Sequence, residues 1–247
     1  MTYLQFHFVF TLPVVAALAL LQRRTREPWW PLGLLVLVAF TYTTPWDNYL
    51  VQNEVWTYPP GAVLFTIGYV PVEEYAFFII QTVMTGLLMR LLQAWRPADT
   101  PPTPNPTARI VGTALFASLS VMGWVMVAVA GQWLYLGLIL GWACPILTLM
   151  WSLGGHVLLS RWRVLAWGIV PMTLYLWAAD WYAITQAGIW DITDATRTGV
   201  ELAGLPVEEA LFFLVTNMMV AQGLVMLERP AIVETVGRLT GQRPQVA

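Results

Sequence analysis

Pro-Val-Glu-Glu-Tyr-Ala-Phe-Phe at residues 71–78 and Pro-Val-Glu-Glu-Ala-Leu-Phe-Phe at residues 206–213 are two copies of one motif, each followed by a long apolar run. Proline fits the first turn of a helix, where its missing N–H is not needed. Each copy therefore predicts a helix that begins at the proline and carries two glutamates in its first turn. At four-residue spacing, each glutamate lies above one phenylalanine. The stacked pairs are Glu73–Phe77, Glu74–Phe78, Glu208–Phe212 and Glu209–Phe213.

The composition is that of a membrane protein. Of the 247 residues, 58% are hydrophobic and 11% are charged, and the mean hydropathy is +0.64. Soluble domains carry about 25% charged residues. Apolar stretches near the ~20 residues needed to span a bilayer fall at 4–21, 31–50, 70–92, 109–130, 133–153, 164–184 and 206–227. The sequence therefore predicts an all-α integral membrane protein with seven transmembrane helices.

The doubled motif belongs to a longer internal repeat of three helices. In the first half, Asp47 follows a tryptophan and stands 26 residues before Glu73. In the second half, Asp180 precedes a tryptophan and stands 28 residues before Glu208. Because one helix joins the halves, the repeats run parallel and the predicted arrangement is 3+1+3. The predicted boundaries are 1–96 for the first repeat, 97–131 for a proline-rich linker and the joining helix, 132–228 for the second repeat and 229–247 for a cytoplasmic tail.

The basic residues predict the orientation in the membrane. All twelve are arginines, and eleven fall on one face if the N-terminus lies outside, with Arg197 as the exception. Because cytoplasmic loops carry an excess of positive charge, we expect an outside N-terminus and a cytoplasmic C-terminus in a bacterial or archaeal plasma membrane. Both glutamate pairs then lie near the outer face. Tryptophans near helix ends, among them Trp56 and Trp190, are interpreted as aromatic belts.

Adjacent carboxyl groups beneath aromatic rings suggest acid–base chemistry on a hydrophobic molecule. Burial favours a neutral acid and the helix N-terminus favours a carboxylate, so we expect a protonated acid beside an ionised base. Aromatic faces also stabilise a carbocation by about 2 kcal/mol per desolvated contact. A plainer alternative is that each pair faces water and stabilises its helix macrodipole by about 0.3–1 kcal/mol. The candidate catalytic residues are Glu73, Glu74, Glu208 and Glu209, the supporting acids are Asp47 and Asp180, and the candidate substrate-binding residues are Trp46, Phe77, Phe78, Gln81, Trp181, Phe212, Phe213 and Asn217.

Several kinds of site are absent from the sequence. No Gly-x-Gly-x-x-Gly fingerprint is present, so we expect no bound dinucleotide cofactor. Cys144 is the single cysteine, and His7 and His156 fall at opposite membrane faces, so we expect no metal site. His7 is interpreted as an interfacial residue. Seven helices suggest comparison with retinal proteins, but a retinylidene Schiff base needs a lysine and the chain has none.

The paired Pro-Val-Glu-Glu motifs, the Trp46-Asp47 and Asp180-Trp181 steps and the three-helix repeat resemble the membrane-integral carotenoid cyclases. These are lycopene cyclases that occur as two small subunits in some actinobacteria and as fused chains elsewhere. The resemblance covers nearly the whole chain. It implies redox-neutral cyclisation of the ψ ends of lycopene to β-ionone rings, with both acidic motifs in the site. It also makes the linker and the fourth helix look like a fusion joint.

The resemblance implies that the substrate is lycopene taken from the bilayer. It implies lipid and other carotenoid-pathway enzymes as partners, and no nucleic acid. Two alternatives remain at this point. One is a carotenoid hydratase or a cyclase for C50 carotenoids, and the other is a membrane transporter or pigment-binding protein. We expect one pocket assembled from both halves, in which replacing either Glu73 or Glu208 by glutamine removes most activity.

Overall fold

The computed structural model describes residues 1–22, 28–96 and 103–227, and this part of the chain is mainly helical. The long helices are α1 (Tyr3–Leu21), α2 (Trp30–Gln52), α3 (Val72–Trp95), α4 (Pro106–Val129), α5 (Leu134–Ser160), α6 (Trp162–Tyr182) and α7 (Val207–Leu227). The short strands are β1 (Trp56–Thr57), β2 (Thr66–Ile67), β3 (Val70–Pro71), β4 (Asp191–Ile192), β5 (Glu201–Leu202) and β6 (Leu205–Pro206). Helix α1 contains a π-helical turn at His7–Thr11. Arg23, Arg24, Arg26 and the tail 229–247, which entered the orientation and domain predictions, lie outside the described residues.

Five described helices are long and apolar enough to cross a bilayer, namely α1, α3, α4, α7 and the segment Gly131–Ser160 that contains α5. Helices α2 and α6 are of similar length, but proline, tryptophan, tyrosine and threonine lower their hydropathy. The chain therefore has the all-α architecture of an integral membrane protein. The two remaining predicted spans coincide with α2 and α6, whose hydropathy is too low to identify them as membrane-spanning from length and composition alone.

The motif prolines do not begin the helices, which corrects the sequence-based prediction by one residue. Pro71 has an extended backbone, with φ −57° and ψ 143°, and pairs with Thr66 in the β2–β3 hairpin. Helix α3 begins at the next residue, and Pro206 stands in the same way before α7. Two-residue turns close both hairpins, and Gly68 in the first turn has φ +66°. The short hairpins were missed because they lie mainly in the connections before the predicted spans 70–92 and 206–227, and strands of two residues show no periodic pattern.

Corresponding positions in the two halves make corresponding hydrogen bonds. The Tyr42 hydroxyl of α2 donates to the carbonyl of Trp142 in α5 at 3.0 Å. The Tyr175 hydroxyl of α6 donates to the carbonyl of Phe10 in α1 at 2.6 Å. Each bond links one half of the chain to the other, so the halves pack against each other through matched contacts.

Strands from the two halves also pair directly. Strand β1 runs antiparallel to β4, with Trp56 opposite Ile192 and Thr57 opposite Asp191. The loops that precede α3 and α7 are thereby joined at the same end of the helices. The N-terminal ends of both motif helices consequently lie close together.

Buried polar side chains connect the middles of α3 and α7. The Gln81 amide donates to the Thr216 hydroxyl at 2.6 Å, and the Thr85 hydroxyl donates to the Asn217 carbonyl oxygen at 2.6 Å. The Asn217 amide in turn donates to Thr173 of α6 at 3.0 Å. Because unpaired polar groups are costly in apolar surroundings, this network fixes the relative position of the helices.

Helix α4 packs closely along α5 at a contact of small residues. A Cβ atom placed on Gly123 would stand 2.6 Å from the backbone nitrogen of Gly141, 2.7 Å from the Leu140 Cβ and 2.9 Å from the carbonyl oxygen of Gly137. Small residues at such crossings let helix backbones approach closely. Much of the rest of α4 is exposed apolar surface.

We expect Gly123→Ala to lower the free energy of unfolding by about 1–3 kcal/mol, because the added methyl group overpacks the α4–α5 contact. Gly33→Ala on α2 is the matched control, since nothing lies within 4 Å of its added Cβ. That control should be neutral or stabilising by up to about 1 kcal/mol. Thermal unfolding of both variants in detergent measures the difference, and equal melting temperatures would contradict the close contact.

Candidate active site

A cavity with about 400 Å³ of empty space, its open mouth included, lies where the N-terminal ends of α3 and α7 meet. Its walls are mostly aromatic, and they contain three carboxyl groups and no arginine. The lining residues are Tyr3, Phe6, Trp56, Tyr58, Glu74, Phe77, Leu176, Asp180, Trp190, Glu209, Phe212 and Phe213. Both halves of the chain contribute to this single cavity.

The second glutamate of each motif faces the cavity. The Tyr58 hydroxyl donates to Glu74 Oε2 at 3.2 Å. Glu209 Oε1 accepts from the Tyr135 hydroxyl at 2.5 Å and from Trp56 Nε1 at 3.1 Å. Trp56 belongs to the first half and Glu209 to the second, so this hydrogen bond crosses between the halves. Both carboxyl groups are buried.

The first glutamate of each motif is turned towards the preceding loop. Glu73 Oε1 accepts from the backbone N–H of Leu64 at 2.9 Å. Glu208 Oε1 accepts from both the backbone N–H and the hydroxyl of Thr198, each at 2.7 Å. Neither residue lines the cavity. Through these hydrogen bonds the two glutamates hold the loops before α3 and α7, and the expected loss of activity on replacing Glu73 or Glu208 stays a prediction.

The two predicted supporting acids have different surroundings. Asp180 lines the cavity, and its Oδ1 accepts from Trp190 Nε1 at 3.0 Å. Asp47 is fully buried behind the wall, and neither of its carboxyl oxygens has a hydrogen-bond partner among the described residues. The six buried acids do not form a three-ligand metal cluster within the described part of the chain.

The predicted aromatic residues take several positions. Phe77, Phe212 and Phe213 line the cavity, and Phe77 meets Phe213 edge-to-face with ring centroids 6.0 Å apart. Trp46 stands behind the wall, stacked on Phe212 at 5.7 Å, and its Nε1 donates to a carbonyl of α5. Phe78 lines a second cavity, which lies between α2, α3, α5 and α7.

Besides Trp46 and Phe78, three further predicted substrate-binding residues do not reach the acidic cavity. Trp181 is 38% exposed, and its Nε1 donates to the Ala203 carbonyl in the β5–β6 turn at 3.0 Å, so it holds that hairpin. Gln81 and Asn217 belong to the polar network between α3 and α7. Gln81 also lines the second cavity. The structure thus removes Trp181 and Asn217 from the lining of either cavity.

The interpretation of His7 as an interfacial residue is wrong. The ring is 2% exposed, and His7 Nε2 lies 2.9 Å from the carbonyl oxygen of Glu73. It stacks on Tyr3 with centroids 4.9 Å apart. The ring therefore braces the first turn of α3 beside the cavity.

The belt interpretation of Trp56 and Trp190 is also wrong, because both residues line the cavity and Trp56 is 5% exposed.

Tyr3, Tyr58 and Tyr135 were not predicted at all. One signal for them was present in the sequence, since Tyr3 and Tyr135 stand at matching positions in the two repeats. Burial raises the pKa of the loop residue Tyr58, and the nearby Glu74 carboxylate raises it further. The Tyr58 hydroxyl therefore remains a donor at neutral pH.

The sequence profile of the family described as Lycopene cyclase matches residues 1–92 and 132–225 of the chain. A lycopene beta-cyclase of Halobacterium salinarum is 41% identical over 201 residues, covering 78% of this chain and 80% of the relative. A bifunctional lycopene cyclase/phytoene synthase of Gibberella fujikuroi is 40% identical over 247 residues, covering 94% of this chain and 41% of the relative.

A protein of the same bifunctional description from Phycomyces blakesleeanus is 37% identical over 227 residues, covering 88% of this chain and 37% of the relative. The chain therefore spans about two fifths of the length of these fungal relatives. No solved structure matches the chain significantly.

We expect Glu208→Ala to lower the free energy of unfolding by about 1–3 kcal/mol, because it removes the buried acceptor of the half-buried Thr198 N–H and hydroxyl. Thermal unfolding in detergent measures the loss. Glu54→Ala, on an exposed loop residue, is the control and should leave the melting temperature unchanged. A Glu208→Ala protein as stable as this control would refute the loop-holding role.

Proposed function

Because the chain belongs to the lycopene cyclase family, we propose that it cyclises the ψ end groups of lycopene to β-ionone rings by acid–base catalysis. The observation that carries this proposal is the meeting of Glu74 and Glu209, one from each half, in a single aromatic cavity. Each carboxyl group is oriented by hydrogen bonds from aromatic side chains.

The reaction needs one acid and one base. The acid protonates C2 of the terminal double bond and leaves a tertiary cation at C1. The C5=C6 double bond attacks C1, which closes the ring and moves the positive charge to C5. The base then removes the proton from C6, and a new C5=C6 double bond forms. One proton is added and one is lost, so the conversion is redox-neutral.

Glu74 and Glu209 are proposed as the acid and the base, with either able to take either role. The acid must enter the cycle protonated and the base ionised. The Tyr58 and Tyr135 hydroxyls orient the two carboxyl groups and move no proton in the scheme. Asp180 adds a third carboxyl group to the wall, and we propose that it tunes the local field.

The aromatic walls suit the cationic intermediate. Phe77, Phe212 and Phe213 present ring faces or edges to the cavity, and Trp56 and Trp190 close its sides. A ring face stabilises a desolvated cation by about 2 kcal/mol. Excluding water also matters, because water would capture the C1 cation and give a hydrated end group.

We propose that all seven long helices span the membrane as 3+1+3, with parallel repeats at 1–96 and 132–228 joined through 97–131. The matched hydrogen bonds of Tyr42 and Tyr175 support this arrangement. The family profile matches two segments and leaves residues 93–131 between them, which fits a joint. The positive-inside rule supports an outside N-terminus and a cytoplasmic C-terminus.

Lycopene is expected to enter from the bilayer, since it is soluble there. The names of the fungal relatives give lycopene cyclase and phytoene synthase as two activities of one chain. This pairing supports other carotenoid-pathway enzymes as partners of the present protein.

We expect Glu74→Gln and Glu209→Gln each to lower the cyclisation rate at least about 100-fold, because glutamine keeps the size of the side chain but transfers no proton. The measurement is pigment chromatography after incubating purified protein in lipid with lycopene. Glu54→Gln is the matched control and should keep the wild-type rate. Half the wild-type rate in each single variant, with loss only in the double variant, would indicate two independent sites.

We expect cysteines introduced at Pro60 and Ala195 to react with an impermeant thiol reagent from outside the cell, and one introduced at Arg96 to react only from inside. The reason is that β1–β4 pairing holds both loops at the end of the bundle opposite Arg96. Cys144→Ala provides the cysteine-free background. Labelling of positions 60 and 195 from opposite sides would disprove the parallel repeats.

A further inference from the structure

The second cavity, between α2, α3, α5 and α7, has about 620 Å³ of empty space, its open side included. Apolar side chains dominate its lining, among them Leu35, Ala39, Ile146 and Met219. At its rim Val38 is 45% exposed on the outer surface of the bundle. The cavity is therefore a groove that begins at the apolar exterior.

The groove follows the helices for a considerable distance. On α5 it extends from Trp142 to Met150, and on α7 from Phe212 to Val220. At 1.5 Å per residue, each of these stretches covers about 12 Å. A groove of this shape fits an extended apolar chain better than a compact molecule.

Most polar groups along the groove are already satisfied within the protein, although Trp142 Nε1 has no hydrogen-bond partner among the described residues. The Thr82 hydroxyl donates to the Phe78 carbonyl at 2.8 Å, and the Gln81 amide donates to Thr216. Such groups offer little to a polar ligand, because their hydrogen bonds belong to the helix packing. An occupant without hydrogen-bonding groups is favoured for the same reason.

Phe212 lines both the groove and the acidic cavity. Its ring stacks on Trp46 with centroids 5.7 Å apart, and Trp142 lies 6.1 Å away on the groove side. One aromatic ring therefore separates the groove from the space that Glu74 and Glu209 face. A molecule with an end group at the glutamates and a long apolar remainder would use both compartments.

We propose that the groove binds the conjugated polyene chain of the substrate and forms its lateral route from the bilayer to the acidic cavity. This inference rests on the proposed cyclase function. The planar chain lies along α5 and α7, and the aromatic wall of Phe212 and Trp142 contacts it next to the reacting end.

The test fills the groove and measures polyene binding separately from cyclisation. Ala39→Trp places a bulky ring in the groove, and Leu37→Trp places the same ring on the exposed outer side of the same helix. Lycopene binding is followed by the induced circular dichroism of its visible absorption band, in nanodiscs, with Glu74→Gln present in both variants to prevent turnover. We expect Ala39→Trp to weaken lycopene binding about tenfold or more, where each factor of ten corresponds to about 1.4 kcal/mol. We expect Leu37→Trp to leave lycopene binding unchanged.

The same two tryptophan substitutions, made without Glu74→Gln, are assayed for cyclisation. Ala39→Trp should raise the KM for lycopene by a similar factor, with a smaller change in kcat. If Ala39→Trp fails to fold, Ile146→Trp on the α5 wall replaces it, with Leu149→Trp on the exposed side of α5 as its control.

The outcomes separate the two proposals. Wild-type protein that does not cyclise lycopene overturns the proposed function. If the wild-type protein cyclises lycopene and the groove variants bind and turn it over like their controls, only the groove proposal is overturned. In that event the groove accommodates lipid chains.

Discussion

Buried polar groups in apolar surroundings need partners, and in this molecule many of those partners lie in the other half of the chain. An unsatisfied polar group in hydrocarbon costs several kcal/mol. Gln81 is paired with Thr216, and Glu209 receives a hydrogen bond from Trp56. The pairing of β1 with β4 adds backbone hydrogen bonds between the halves. The same requirement therefore holds the bundle together and brings the carboxyl groups of both repeats to one cavity.

Adjacent glutamates on a helix point in different directions, because successive residues are about 100° apart around the axis. In both motifs the first glutamate turns to the preceding loop and the second turns to the cavity. The loop contacts of Glu73 and Glu208 fix the first turns of α3 and α7. Those turns then carry Glu74 and Glu209, so the doubled glutamate joins a structural residue to a proposed catalytic one.

The repeats are alike in backbone but differ in chemistry around the cavity. Two residues after each cavity tryptophan stands Tyr58 in the first half and Ile192 in the second. Four residues after each matched tyrosine stands His7 in the first half and Ile139 in the second. Both polar members of these pairs are near Glu73 or Glu74. The two cavity glutamates therefore sit in different surroundings, as a division between acid and base would require.

The sequence by itself determined the all-α membrane class, the repeat and the importance of the two acidic motifs, because hydropathy and motif spacing are properties of the chain alone. It did not distinguish Glu73 from Glu74, nor recognise Trp56 as a wall of the cavity. Tryptophan near a helix end suits both an aromatic belt and a buried site, and local sequence does not separate them. Only the tertiary structure decided these points, because the pairing of β1 with β4 and the packing of α3 against α7 join residues more than 100 positions apart.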